Sequence, residues 1–263
     1  MSTSNSSKQE FLAVLKSVLG ESGSSPIALH EPNIGQRENE LVSKCLASGW
    51  VSSVGEYISE FEQGLAKFTN SKHAIAVVNG TAALHLALHS VGVKPGDEVL
   101  VPTLSFVATA NAVSHCGAIP HFVDSDPETL GLDPLALREH LRANASLRDG
   151  ELHNTSTGRR ISAVVPMHTF GHPMQIEALI DVAKEFNLVV VEDAAESIGS
   201  YVGSTHTGTF GRCSSLSFNG NKTITTGGGV AILTNDSGLA QRIRHLATTA
   251  KMPHDYEYIH DAV

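Results

Sequence analysis

From His73 onward, short apolar runs alternate with amphipathic ones, and this rhythm constrains the fold more than any other feature of the chain. The apolar runs have the length and β-branched content of strands and fall at residues 73–78, 99–102, 119–123, 161–167, 188–191, 215–218 and 230–233. Between them a 3.6-residue period predicts helices over 81–91, 106–115, 134–141 and 175–186. Strands separated by helices need crossover connections, which favour parallel pairing, and runs this apolar are buried on both faces. The expectation is an α/β fold built on a seven-stranded, mostly parallel sheet with helices on both faces. In such sheets ligands bind beyond the carboxyl ends of the strands, so the residues just after each run carry the search for chemistry. The polar segment 144–160 breaks the rhythm and reads as an exposed loop.

Two helical patterns precede the sheet, 37–47, closed by Gly49, and 56–68, with Ile58, Phe61, Leu65 and Phe68 on one face. Between them the turn Gly49-Trp50-Val51-Ser52-Ser53 holds the only tryptophan, read as a packed corner residue with a ligand contact as the alternative. The apolar run 11–19 contains Lys16 and is too short to span a membrane. It reads as a short amphipathic helix after a disordered Ser-rich tip, so that residues 1–25 form an extension and 26–263 one large domain. A chain of 263 residues with 41% apolar content supports one sizeable core. A net charge of −9 with no basic run excludes a general nucleic-acid binder. Cys45, Cys116 and Cys213 are far apart, which suggests neither a disulfide framework nor a zinc site and fits the reducing cytoplasm.

Lys222 stands between a strand and the triple glycine 227–229, in the stretch Ser-Phe-Asn-Gly-Asn-Lys beginning at Ser217. A lysine desolvated at a strand end attacks carbonyls as a free amine, whereas most lysines are solvated surface residues. A phosphate-loop reading of Gly220 to Thr223 fails, because Asn221 and Leu216 stand where that motif needs glycine. Asn79-Gly80-Thr81-Ala82 opens a helix after the first strand, which makes an anion site or a plain threonine cap. Phe106 opens the helix after the second, where its ring lies on a planar ligand or in the core. Asp193 ends a buried strand on the same face as Val189 and Val191, and serves as counter-ion to a protonated pyridine nitrogen or as a helix cap. The pairs His168/His172 and His85/His89 have metal-ligand spacing but lack a third ligand, and read as structural. An anion site, a flat ring, a carboxylate and a lysine at strand ends of one sheet match pyridoxal phosphate.

These residues resemble the DegT/DnrJ/StrS sugar aminotransferases. The resemblance runs from about Pro26 to the end and rests on Gly49 to Ser53, Asn79 to His85, Pro102 to Asn111, Pro166-Met167-His168, Glu192 to Glu196 and Ser217 to Lys222. It implies an aspartate-aminotransferase-like large domain in which Lys222 forms the Schiff base with pyridoxal 5'-phosphate and Asp193 binds the pyridine nitrogen. It further implies that Phe106 stacks on the ring and that Gly80, Thr81 and Ser217 hold the phosphate. Glu196 occupies a position where the family often has glutamine on the cofactor's phenolic oxygen, and a carboxylate there repels a phenolate unless it shares a proton.

The activity so implied moves an amino group from glutamate to a nucleotide-linked keto sugar in surface-polysaccharide biosynthesis, of the perosamine or legionaminic-acid-precursor kind. A family branch that removes a sugar hydroxyl has histidine in place of the lysine, so Lys222 favours amino transfer. A homodimer is implied, with neither nucleic acid nor membrane as partner. The rival readings are a cofactor-binding but catalytically incomplete fragment or non-catalytic relative, and a lyase acting on an amino acid on the same fold. The resemblance also implies a smaller domain of roughly a hundred residues beyond Val263. Its expected position includes an asparagine that completes the partner subunit's phosphate site.

Overall fold

The computed structural model describes residues 5–20, 26, 28, 30–252 and 259–261. The chain divides into two compact units, Met1–Asn33 and Ile34–Val263. In the first, helix α1 (Asn5–Leu19) starts six residues ahead of the apolar run, because Ser6 to Glu10 continue the helix. Residues 1–4 of the Ser-rich tip and residues 21–25 of the extension lie outside the described residues.

The second unit opens with α2 (Gln36–Ser48) and α3 (Glu56–Thr69). There follow β1 (His73–Val77), α4 (Gly80–Ser90), β2 (Glu98–Pro102), α5 (Val107–His115), β3 (Ile119–Val123) and α6 (Pro134–Asn144). Next come β4 (Ala145–Arg148), β5 (Glu151–Asn154), β6 (Arg160–Val164), α7 (Ile176–Glu185) and β7 (Val189–Asp193). The chain then makes the small hairpin β8 (Tyr201–Val202) and β9 (Thr205–His206), β10 (Cys213–Ser217), β11 (Val230–Thr234) and α8 (Ser237–Ala247).

The seven apolar runs are seven neighbours in one sheet, ordered β1-β11-β10-β7-β6-β2-β3. β11 pairs antiparallel with both β1 and β10, and the four other pairs are parallel. All strands but β11 therefore present their carboxyl ends on the same edge. Alternation splits their side chains between two apolar layers. Val99, Val101, Ala163, Val191, Cys213 and Ile232 face Leu84 and Leu88 of α4, Val113 of α5 and Ile243 of α8. Leu100, Val164 and Val190 turn the other way, onto Leu137 of α6 and Leu179 of α7, and Leu216 and Leu233 onto Leu65 of α3. Burying both faces removes enough apolar surface from water to hold the crossover helices in place.

Three local expectations change. The run 161–167 ends as a strand at Val164, because Pro166 has no N–H to continue the ladder, and Met167 rejoins it through an isolated bridge to Asp193. The polar segment 144–160 is no loose loop but the hairpin β4–β5, whose β5 pairs antiparallel with β6. Its two-residue turn Asp149-Gly150 has positive φ at both positions, 51° and 83°, the twist that suits a tight hairpin. Trp50 and Phe68, read as packed, are 64% and 54% exposed.

Candidate active site

Four carboxyl-terminal strand ends converge on one cavity of about 310 Å³. It is lined by Gly80 and Thr81 after β1, Phe106 after β2, Asp193 and Glu196 at the end of β7, and Ser215, Ser217 and Lys222 around the end of β10. All seven residues singled out from the sequence are thus brought together.

At α4 the cap is Asn79, whose side chain accepts from the Ala82 N–H at 2.9 Å, so the threonine-cap reading of Thr81 is wrong. With the cap supplied two residues earlier, the Thr81 hydroxyl has no hydrogen-bond partner among the described residues and stays available beside the positive end of the helix. Phe106 is 63% exposed, which overturns its reading as a core residue; it caps α5 with its ring on the cavity wall.

Asp193 is buried at the end of β7 on the layer that packs Val189 and Val191 against α5. Its Oδ2 accepts from Thr109 Oγ1 at 2.6 Å and its Oδ1 from the Ala195 N–H at 3.2 Å. The second bond is all that remains of the cap reading. Burial pushes the Asp193 carboxyl up; the Thr109 and Ala195 bonds, and the charge of Lys222, pull less strongly the other way. A buried carboxylate in this state gains from a cation placed in the cavity.

Lys222 sits on a loop pinned to the sheet edge. Its N–H donates to Asn219 O at 2.9 Å, the Thr226 N–H to Phe218 O at 3.0 Å, and the Gly229 N–H to Val78 O at 3.1 Å. Gly229 makes the return into β11 at φ 91°, a conformation that side chains disfavour. The Lys222 side chain is 15% exposed, its Nζ 2.9 Å from Glu196 Oε1 and 5.9 Å from the centre of the Phe106 ring. Glu196 Oε2 accepts in turn from the Phe170 N–H at 3.1 Å, which fixes the carboxylate against the lysine.

Sequence reasoning missed three participants. Thr109 gives no signal on its own, since its partner lies 84 residues away. Glu192 points to the opposite face from Asp193 and, fully buried, accepts from His168 Nε2 at 3.0 Å and from the Gly208, Phe210 and Gly211 N–H groups at 2.8, 2.8 and 2.6 Å. Because His168 Nδ1 accepts from the Met174 N–H at 3.3 Å, its ring proton is on Nε2 and serves Glu192. Ser215, beside Asp193 in the β10–β7 register, is buried, and its hydroxyl has no hydrogen-bond partner. Alternation from Ser217 places it on the same face and was the available signal.

The donor set fits a phosphorylated pyridine aldehyde. The cavity offers a helix start with a free hydroxyl at one side, a buried carboxylate in need of a cation, an unpartnered buried hydroxyl, and an amine within reach.

A model of the DegT/DnrJ/EryC1/StrS aminotransferase family matches residues 32–263. The chain is 41% identical over 220 residues to a GDP-perosamine synthase of Caulobacter vibrioides, covering 84% of this chain and 55% of that protein. It is 41% identical over 237 residues to the GDP-perosamine synthase of Escherichia coli O157:H7, covering 90% and 60%. The chain thus spans 55% and 60% of the length of these two curated relatives. Among solved structures, the aminotransferase TlmJ from Streptoalloteichus hindustanus superposes with a TM-score of 0.79 at 31% identity, over 90% of this chain and 61% of that one.

Proposed function

The chain belongs to the DegT/DnrJ/EryC1/StrS aminotransferase family, and from that premise we propose that it carries the cofactor-binding part of an enzyme that moves an amino group from glutamate to a nucleotide-linked keto sugar. The observation that carries this reading is the meeting of Lys222 and the buried Asp193 on one cavity at the sheet's carboxyl edge. The GDP-perosamine synthases among its relatives support a nucleotide sugar as acceptor, and surface polysaccharide as the destination belongs to the same proposal. Glutamate as donor, a homodimer and the cytoplasm as its place of action belong to the same proposal. Among the described residues, no helix is long and apolar enough to cross a membrane.

When bound, pyridoxal phosphate supplies an aldehyde for amine exchange and a protonated ring that accepts the electron pair left when a substrate proton departs. This chain's residues do the rest. Asp193, low in solvation and oriented by Thr109, holds the ring nitrogen protonated, and the ring's charge offsets the cost of burying the carboxylate. Gly80, Thr81 and Ser217 take the phosphate at the start of α4, where the helix dipole favours an anion. Phe106 covers one face of the ring and keeps water from it. Lys222 Nζ would serve as the base that takes the substrate proton and returns it. Glu196, held by the Phe170 N–H, receives the lysine's charge when it is an ammonium.

The test is to add pyridoxal phosphate and then glutamate, following the cofactor's absorption. Conversion to the amine form, reversed by a nucleotide keto sugar, is expected. Binding without conversion supports a cofactor binder without turnover, and loss of product from an amino acid without conversion supports a lyase.

A further inference from the structure

Among the described residues, Ser215 is a buried hydroxyl without a hydrogen-bond partner, and it stands on the cavity wall. A buried hydroxyl without a partner is disfavoured, and native chains keep few of them unless something else supplies the bond. Its place in the sheet is specific. Ser215 lies in register with Asp193 on the neighbouring parallel strand, and Ser217 follows two residues on along the same face. A flat ligand that reaches from the carboxylate at Asp193 to the anion site at Ser217 crosses Ser215. The serine side chain turns on a single torsion, so a change of staggered well swings Oγ toward the cavity without moving β10.

We propose that Ser215 is a further positioning residue of the site, whose hydroxyl hydrogen-bonds the phosphorylated pyridine held between Asp193 and Ser217. This rests on the cofactor reading above. It accounts for a polar side chain beside the apolar Cys213, two residues back on β10, and Ile232, its partner on β11. The cofactor-free chain carries the cost of the unmade bond, and ligand binding removes it.

The experiment measures two quantities on the full 263-residue chain: the melting temperature without cofactor, and the dissociation constant for pyridoxal phosphate. Ser215→Ala is expected to melt no lower than the parent and to bind pyridoxal phosphate about three- to tenfold more weakly, the usual worth of one hydrogen bond. Ser90→Ala, which removes an unpartnered hydroxyl away from the cavity, is expected to melt no lower and to bind with unchanged affinity. A Ser215→Ala chain that binds as tightly as the parent, or that melts lower without cofactor, overturns the proposal. A parent chain that takes up no pyridoxal phosphate overturns the cofactor reading itself, and the role of Ser215 falls with it.

Discussion

Thr109 Oγ1 donates to Asp193 Oδ2 at 2.6 Å, joining the first turn of α5 to the end of β7 in the buried interior. It is the strongest of the contacts that pull the Asp193 carboxyl down against the burial that pushes it up. Thr109→Val keeps the shape and removes the donor, so the carboxyl rises further and grips a ring nitrogen less firmly. The glutamate half-reaction is expected to slow about tenfold to a hundredfold, the range for a hydrogen bond to a charged group. Thr109→Ser is expected to restore most of it. A Val variant as fast as the parent would mean that Thr109 only packs.

Glu192 works on the other face of the same strand. Its carboxylate accepts one imidazole and three backbone N–H bonds, and these close the segment 206–211 onto β7. Glu192→Gln places an NH2 against donors and leaves at least one buried N–H unmade, at a cost of about 3 kcal/mol. Urea unfolding checks this, with an unchanged midpoint as the contrary result.

The fold was legible where one periodicity decided it. The runs that became β1 and β11 were readable from their short, continuously apolar length, and Asp193 was placed on its face by the parity of Val189 and Val191. The hairpin β4–β5 was missed because its contacts are polar: Asn154 Nδ2 and Thr157 Oγ1 donate to Glu98 at 2.9 and 2.6 Å, which no apolar pattern records. Its Asp149-Gly150 turn was nonetheless a readable signal. Helix α8 had one too, in the cap that Asp236 makes to the Leu239 N–H. Thr109 and Glu192 were beyond sequence reasoning, since their roles exist only once strands and helices distant in the chain are packed together.

That polar cluster makes a prediction about pH. His121 Nδ1 meets Glu98 at 2.8 Å and its Nε2 meets His140 Nε2 at 2.9 Å. Burial, helped by the charge of His121, pushes the His140 imidazole down, and burial likewise leads the lowering of His85 and His206. For Glu98, burial pushes the carboxyl up, but hydrogen bonds from Thr157, Asn154 and His121 outweigh it and hold it below the usual range. Folded values below unfolded ones mean stability that is present above the unfolded value and lost as pH falls through the folded one. The chain is therefore expected to lose stability from about pH 6.5 downward through the histidines, and further below about pH 4.3 through Glu98. His140→Gln is expected to flatten the first part of the slope, by at most about 1.4 kcal/mol per pH unit. A parent whose urea midpoint does not fall between pH 7 and pH 5 contradicts this.

Lys222, which we propose as the amine that bonds the cofactor, is placed by its pinned loop between Glu196 and Phe106. The most direct measurement is borohydride reduction of the chain with pyridoxal phosphate, followed by peptide mapping. A single labelled peptide containing Lys222, absent in Lys222→Ala, is the result predicted. Label spread over several lysines, or undiminished in Lys222→Ala, would contradict the account.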